Sequence, residues 1–259
     1  MLRRIKDFLL SHEPWRPSHI GLWIRTLYFQ TYFFRHALSV RSGRILDAGC
    51  GRGTYAASVA RRFPQAEVQG YDILGHKEWH EYILPNLTFR VQDLRELTER
   101  EVFDAIISID SLEHIPDNRS VLAAFFNALN PGGILYIAVP SEQTEMHIFP
   151  RRWFSRFHEW EHDEHVGEQR TRPALAALLV SLGFEPLVSR DTFTFWGILA
   201  WEVETLLSWG GPFAKALNVV LMPLYKLLGV LDVYLPLGTG NVLLIARKPA
   251  VPASSEEAS

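Results

Sequence analysis

The sequence has very little cysteine, and its single thiol, Cys50, excludes an intramolecular disulfide and a multi-cysteine zinc cluster. It also lacks an excess of charge, because the net charge at pH 7 is only −3. The overall charge therefore gives no reason to expect a nucleic-acid partner. No stretch of 18 consecutive apolar residues occurs, and no long apolar region follows the first basic residues. We accordingly expect no signal peptide, no membrane-spanning helix and a cytoplasmic protein.

The charge is unevenly placed along the 259 residues. Residues 1–44 contain eight Lys or Arg and two acidic residues, and residues 15–36 contain seven aromatic side chains. A basic, aromatic leading segment of this kind can cover its own domain or lie on an anionic surface. We expect residues 1–40 to form an N-terminal helical cap.

The middle of the chain alternates short apolar segments with helix-like segments, which predicts βαβ crossovers and an α/β fold with a mostly parallel sheet. The predicted strands are 44–47, 67–73, 87–93, 103–110, 133–139, 184–189 and 241–247, and the strand at 103–110 is the most apolar and is expected at the centre. We predict a main domain from residues 41–190 and 241–249, an apolar helical insertion at 191–240, and a disordered tail at 250–259.

A glycine-rich loop follows the first strand, with Gly49, Gly51 and Gly53 spaced as G-x-G-x-G. A strand, a tight glycine turn and a helix N-terminus together form a ligand-binding arrangement. Asp47 just before the loop would disfavour a pyrophosphate but would suit an ammonium group. This residue and the glycine spacing both argue against an NAD(P)-dependent oxidoreductase.

Two further carboxylates end the next predicted strands. Asp72 is placed to accept from ribose hydroxyls, and Asp93 to accept from an adenine amino group with Leu94 against the ring. A ligand with adenine, ribose and a cationic amino acid but no phosphate fits this set, and S-adenosylmethionine is such a ligand. We assign Ile73, Gln92 and Asp110 to the same predicted cofactor site.

The residues of this loop and of two later segments resemble class I S-adenosylmethionine-dependent methyltransferases. Residues 45–54 (ILDAGCGRGT) resemble the first motif of that family, residues 103–117 (FDAIISIDSLEHIPD) the fourth-strand motif of its small-molecule, type 11 branch, and residues 129–135 (LNPGGIL) the loop before the fifth strand. The resemblance covers about residues 44–190 and 241–248. It implies a Rossmann-like sheet of seven strands with helices on both faces and an antiparallel last strand, and methyl transfer to a small acceptor, most simply to an oxygen. A cofactor-binding protein without turnover, associated with a membrane, is the non-enzymatic alternative.

Methyl transfer requires the acceptor atom to be aligned with the methyl group and, for a hydroxyl acceptor, removal of the hydroxyl proton. His114, just after the fourth strand, is one candidate base, although a Glu-His pair at this place can also only brace the loop. Asp110, Glu113 and His114 resemble a run linked to a divalent metal in ubiquinone-biosynthesis O-methyltransferases, but we assign no metal.

A second histidine-rich run, residues 158–165 (HEWEHDEH), leaves three interpretations open. His158, Glu161, His162 and His165 would share one helix face, which allows a metal site, a solvated surface helix, or contact of His165 with the acceptor as in relatives. We expect His165, slightly ahead of His114, to be the catalytic base. Members of the family that this chain resembles often have an Arg two residues after this His, where this chain has Gly167.

The predicted insertion is unusually apolar, since residues 193–237 contain only five charged residues and three Trp. Gly210-Gly211-Pro212 is expected to divide it into two helices, the second kinked by Pro223. Such a segment can pack on its own domain, on a second copy of the chain in a homodimer, or on a membrane surface. We therefore expect an apolar or lipid-linked small-molecule acceptor and peripheral membrane association.

Overall fold

The computed structural model describes residues 20–142, 147–154 and 165–250, and their central feature is a seven-stranded sheet. The strands are β1 Arg44–Ala48, β2 Glu67–Asp72, β3 Leu87–Val91, β4 Phe103–Ile109, β5 Leu129–Val139, β6 Glu185–Thr192 and β7 Asn241–Arg247. Their order in the sheet is β3-β2-β1-β4-β5-β7-β6.

Six α-helices of the described residues accompany the strands. They are α1 Ile20–His36, α2 Thr54–Arg62, α3 Asn118–Ala128, α4 Arg172–Ser181, α5 Phe195–Ser208 and α6 Pro212–Tyr234. Helix α3 begins where the Asp117 carboxylate accepts from the Ser120 N–H, and α4 where the Thr171 hydroxyl accepts from the Ala174 N–H. These caps satisfy N–H groups that the first helical turn leaves unpaired.

The strands pair as the sequence predicts for a class I methyltransferase sheet. The pairs β1–β2, β1–β4, β2–β3 and β4–β5 are parallel. At the start of β5, Gly132 N–H donates to Lys248 O and Gly133 O accepts from Lys248 N–H. Because Lys248 directly follows the end of β7, β7 runs antiparallel to β5. The predicted fold class is confirmed, with the apolar β4 near the centre of the sheet.

One predicted loop is part of a strand. Residues 130–133 were expected to separate α3 from a strand beginning at Gly133, but β5 already begins at Leu129. Leu129 pairs with Phe103 of β4, and the next residues bond to the chain after β7. This pairing depends on residues distant in sequence, and the local Asn-Pro-Gly-Gly turn signal does not report it.

The described residues form two compact units. The sheet unit comprises residues 36–139, 165–190 and 243–250, and the helical unit comprises residues 20–35, 140–142, 147–154 and 191–242. In the sheet unit, the core consists of strand residues such as Leu46 of β1 and Ile106 of β4, both fully buried. Strand β1 pairs in parallel with β2 and with β4, which brings the carboxyl ends of the three strands to one edge of the sheet.

Buried carboxylates connect the parts of the helical unit. Asp232 of α6 is fully buried and accepts from Tyr28 Oη of α1 at 2.9 Å, Thr194 Oγ1 at 2.5 Å and Gly197 N at 3.0 Å. Glu202 of α5 is also fully buried and accepts from the Ile148 and Phe149 N–H groups. A buried carboxylate costs free energy unless it is hydrogen-bonded, and these hydrogen bonds offset part of that cost for both residues.

The apolar insertion forms two helices, α5 and α6, divided at Gly210-Gly211-Pro212 as predicted, and α6 continues through Pro223. By length and composition α6 could cross a membrane, contrary to the expectation that no such helix exists, and a third of its apolar window is buried. Core helices of soluble proteins also meet this criterion.

Candidate active site

The glycine loop joins β1 to α2 and turns back on the end of β2. Gly49, Gly51 and Gly53 all have positive φ, at 76°, 48° and 84°, and Gly53 is the N-cap of α2. The Gly49 and Cys50 N–H groups both donate to Tyr71 O, at 2.8 and 3.0 Å. Left-handed backbone at three alternate positions explains why glycine stands at each.

The three glycines differ in what surrounds them. A Cβ at Gly49 would overlap the Ser111 side chain, and a Cβ at Gly53 would lie 2.5 Å from the Phe89 ring, so both are needed for packing. A Cβ at Gly51 would meet no atom within 4 Å. Open space over Gly51 is the place where a ligand can approach the backbone closely. The loop therefore fits an S-adenosylmethionine molecule in this respect.

Asp72 lies at the end of β2 directly against this loop. Its Oδ2 accepts from the Gly51 N–H at 2.8 Å and its Oδ1 from the Leu74 N–H at 3.0 Å. Each carboxylate oxygen has a further lone pair, so the group can still accept from ribose hydroxyls. This ribose role stays a prediction, supported by the position of the residue.

Trp79, which sequence reasoning missed, holds the other side of the same peptide. Its indole Nε1–H donates to Gly51 O at 2.7 Å, and its ring stacks on Phe89 with centroids 5.0 Å apart. Gly51 is thus fixed through its N–H by Asp72 and through its carbonyl by Trp79. Trp79 lies in a short turn at Lys77–Glu81, and nothing in its spacing from the glycines marks it.

Asp47, predicted to bind the ammonium group, is 1% exposed at the end of β1. Its Oδ2 accepts from the Ala56 N–H in the first turn of α2 at 2.8 Å. Burial, together with repulsion from Asp72, raises the pKa of Asp47 to about 7, against the effect of that hydrogen bond. A cation beside this carboxylate would favour its ionised form, which is consistent with the predicted role.

Cys50, inside the loop, is a buried free thiol. Burial raises the pKa of its thiol far above the usual range, and the charges of Asp47 and Asp72 add to the effect. A thiol that stays protonated is a poor nucleophile. This agrees with its interpretation as a packing residue.

The residues predicted for the adenine follow β2 and β3. Asp93 caps a short turn by accepting from the Arg95 N–H, and the Arg95 side chain pairs with it at 2.6 Å and lowers the pKa of Asp93. Leu94 is buried, whereas Ile73 is 58% exposed beyond the end of β2. The Gln92 amide donates to Asp93 O. An adenine amino group at Asp93 would share the carboxylate with Arg95, and this contact stays a prediction.

Asp110 follows β4 with a left-handed φ of 48°, which non-glycine residues rarely adopt. Its N–H donates to Ala138 O, which fixes the turn at the end of the strand. Such strain is common at functional sites. The next residue, Ser111, packs against Gly49, so the turn after β4 touches the glycine loop.

The two predicted base candidates lie together. The rings of His114 and His165 are 5.1 Å apart between centroids in an edge-to-face arrangement. The Gln169 Nε2–H group donates to His165 Nδ1 at 2.8 Å. His114 belongs to the turn that starts at Ser111, so the pair is continuous with the glycine loop through that turn.

Gly167 explains how His165 reaches this position. Its N–H donates to Glu113 O at 2.7 Å, and a Cβ at residue 167 would lie 2.5 Å from Leu112 O. The Asn118 amide donates to both Leu112 O and Glu168 O, which ties the two segments together. An arginine at position 167, which members of the resembled family often have, would not fit this packing.

Of the histidine-rich run, only His165 is in the described part of the chain; His158, Glu161 and His162 lie outside it. One possible metal group is present among the described residues. Glu113, His114 and His165 each offer a ligand atom, and these atoms all lie within 4.8 Å of one another. The geometry therefore allows either a cation or a proton acceptor at the same place.

Comparison with known proteins identifies the family and the fold. The sequence profile of the methyltransferase domain family matches residues 24–189. The chain is 38% identical to a trans-aconitate 2-methyltransferase of Deinococcus radiodurans over 102 residues, 38% of each chain. It is 25% identical to a ubiquinone biosynthesis O-methyltransferase of Acinetobacter baylyi over 147 residues, 54% of this chain and 59% of that one. The chain thus spans between 38% and 60% of the length of the curated relatives it matches.

Solved structures show the same fold at low sequence identity. A putative sarcosine dimethylglycine methyltransferase from Galdieria sulphuraria aligns with a TM-score of 0.59 and 17% identity, covering 87% of this chain and 86% of that one. A geranyl diphosphate C-methyltransferase from Streptomyces coelicolor, solved with Mg²⁺, geranyl diphosphate and S-adenosyl-L-homocysteine, aligns with a TM-score of 0.60 and 17% identity, covering 86% and 79%. The predicted family and cofactor are confirmed: the chain belongs to the methyltransferase domain family, the S-adenosylmethionine-dependent methyltransferases.

Proposed function

We propose that this chain transfers the methyl group of S-adenosylmethionine to an oxygen atom of a small, lipophilic acceptor. The observation that supports the proposal best is the His114–His165 pair, 5.1 Å apart and continuous with the glycine loop through Ser111. An oxygen acceptor needs a base to take its proton, and an imidazole nitrogen can accept one. The sulfonium cofactor supplies an electrophilic methyl group when bound.

Each cofactor contact is assigned to a residue with a matching environment. Asp72 would hold the ribose and Asp47 the ammonium group, with the Gly51 backbone facing the ligand. Ile73, Gln92, Asp93 and Leu94 would surround the adenine, and Asp110 would fix the turn between the cofactor and the acceptor. With Asp72 and Trp79 already fixing the Gly51 peptide, binding requires little rearrangement of the loop.

His165 would be the base and His114 its neighbour. The Gln169 Nε2–H group donates to His165 Nδ1 at 2.8 Å, which leaves the proton of a neutral ring on Nε2. For Nε2 to take the acceptor's proton, the Gln169 amide would have to turn over so that its oxygen accepts from Nδ1–H. Gly167 and Asn118 hold the segment that carries His165 against the turn at Leu112–His114. The protein would thus align the acceptor and remove its proton, while the edge-to-face partner limits rotation of the ring.

Two properties favour a lipophilic acceptor. The insertion contributes the strongly apolar helices α5 and α6, and relatives are named for ubiquinone biosynthesis and geranyl diphosphate, both with isoprenoid chains. The trans-aconitate relative instead has a small acidic acceptor in its name. A lipophilic acceptor would place the enzyme at the cytoplasmic face of a membrane, with a homodimer through the insertion as the alternative.

The test is kinetic. His165→Ala is expected to lower the methyl-transfer rate by about 10²–10⁴-fold, the usual contribution of a general base, with unchanged cofactor affinity by calorimetry. His114→Ala is expected to have a smaller effect, and Arg119→Ala, an exposed residue of α3, serves as the control. A full rate in the His114→Ala, His165→Ala double variant would leave alignment as the only role of the site.

A further inference from the structure

Three polar side chains of helix α6 lie on the side that faces the protein. Asn218, Tyr225 and Asp232 are buried there. The Tyr225 hydroxyl donates to Asn218 Oδ1 at 2.9 Å, and the Asn218 amide donates to Glu204 O at 3.2 Å. These three buried side chains all form hydrogen bonds, so the inner side of α6 is more polar than that of a helix that only covers an apolar core.

The opposite side of α6 is apolar and exposed along its whole length. Phe213 is 84% exposed and Val220 72%, and the positions recur at intervals of three and four residues, as one helix face requires. The large exposed side chains of this outer face are Phe213, Leu217, Val219, Val220, Leu224, Leu227, Val230 and Tyr234. A continuous apolar face of this length is a mark of an interaction surface.

The charges of α6, all of whose residues the structure describes, indicate the nature of the partner. Asp232 is fully buried, so it contributes nothing to the surface. Lys215 is exposed, and Lys226 lies over the Trp23 ring at 5.7 Å with its pKa lowered by burial. The exposed charge on α6 is therefore that of Lys215 alone, and its positive sign complements an anionic surface.

The ends of the outer face carry the aromatic residues that favour a membrane–water interface. Trp209, 50% exposed, precedes α6, and Tyr234, 66% exposed, ends it. Apart from the Tyr234 hydroxyl, the outer face has no hydrogen-bonding side chain. A protein partner would normally meet a polar rim with several hydrogen bonds. A lipid surface requires none.

We propose that the outer face of α6 docks this protein on an anionic lipid bilayer, lying in the plane of the interface. A spanning orientation would surround the helix with lipid, but its other side is bonded to α1 and α5 through Tyr28, Gly197 and Asp232. Contact is therefore one-sided, as in an interfacial amphipathic helix. The link to a lipophilic acceptor rests on the proposed function; the docking itself does not.

The test is flotation of the full chain with vesicles of phosphatidylcholine containing phosphatidylglycerol, and with phosphatidylcholine alone. Val220→Glu combined with Leu227→Glu places two acids on the outer face, where both side chains are exposed and lie outside the buried core. Ile83→Glu combined with Val180→Glu makes the same charge change at exposed residues of the sheet unit, as the matched control. Calorimetry with S-adenosylmethionine reports separately on the methyltransferase site.

The expected result is flotation of the wild type and of the control with anionic vesicles, weakened by salt, and about ten-fold or more weaker flotation of the outer-face variant. Equal flotation of the outer-face variant would overturn the proposal. The proposal would also be overturned if the wild type floated with neither kind of vesicle, formed a dimer, and became a monomer when the outer face was substituted. A second copy of the chain would then cover the outer face. Resistance of bound protein to alkaline carbonate would indicate a spanning helix and would also overturn it.

Discussion

The buried carboxylate of Asp47 makes the stability of the cofactor-free protein depend on pH in an unusual direction. An aspartate in an unfolded chain has a pKa of 3.8, whereas burial raises the pKa of Asp47 to about 7 in the folded protein. Between these two values the folded state binds a proton that the unfolded state has released. The free energy of unfolding must therefore fall as the pH rises through this window.

The magnitude follows from the two pKa values. The difference between 3.8 and about 7 corresponds to about 4 kcal/mol at 1.36 kcal/mol per pKa unit. This contribution is fully present below pH 4 and is lost by about pH 7. Asp47→Asn keeps an oxygen that can accept from the Ala56 N–H, 2.8 Å from the carboxylate in the wild type, but cannot titrate. We expect its unfolding free energy to lack this slope.

Urea unfolding at pH 5, 6, 7 and 8, followed by circular dichroism, measures the effect. Asp117→Asn is the matched control, since Asp117 is an exposed helix cap whose pKa is lowered by its hydrogen bonds with Ser120, and its titration lies below this pH range. The difference between wild type and Asp47→Asn should decline with pH, whereas the control should follow the wild type. An Asp47→Asn curve that keeps the wild-type slope would refute the reasoning.

The same carboxylate predicts how cofactor binding depends on pH. If the ammonium group lies against Asp47, it favours the ionised form, and binding near pH 6.5 releases a proton. Calorimetry in two buffers of different ionisation enthalpy detects that proton. The buffer dependence should be absent in Asp47→Asn, and its persistence there would place the ammonium group elsewhere.

Three further outcomes follow from the site. Gly51→Val should abolish S-adenosylmethionine binding in calorimetry, whereas Gly132→Val, at another open glycine of positive φ, should retain it; equal effects would mean that backbone strain alone is responsible. Trp79→Phe removes the indole hydrogen bond to Gly51 O and should weaken cofactor binding about 2- to 12-fold, with Trp209→Phe as a neutral control. Chelation with EDTA should leave the transfer rate unchanged, and a loss that Mg²⁺ restores would instead assign Glu113, His114 and His165 to a metal.

The sheet and the cofactor loop could be predicted because their signals are local. A few consecutive residues are enough to recognise each strand that ends in an acidic residue, and the same holds for the glycines of the loop. The sequence could not predict which glycine is needed for packing and which leaves room for a ligand. Only the fold brings Ser111 against Gly49 and leaves open space over Gly51. Trp79 was missed for the same reason: its bond to Gly51 crosses 28 residues of sequence.

The insertion shows a second limit of sequence reasoning. Its low charge and its division into two helices were readable from composition and from Gly210-Gly211-Pro212. Which side of α6 faces the protein was not, because the direction is set by the distant residues Tyr28 and Thr194 that bond to Asp232. The pairing of His114 with His165 likewise depends on the close packing of Gly167, a residue that the resemblance made look anomalous.

The most direct test of the central claim is transfer of an isotope-labelled methyl group. The purified full chain is incubated with labelled S-adenosylmethionine and a lipid extract or an aqueous metabolite extract of its source cells, beside Gly51→Val and His165→Ala. The account predicts label in an organic-soluble product with the lipid extract, absent with Gly51→Val and strongly reduced with His165→Ala. Label only in a water-soluble product, or no transfer to either extract, would contradict it.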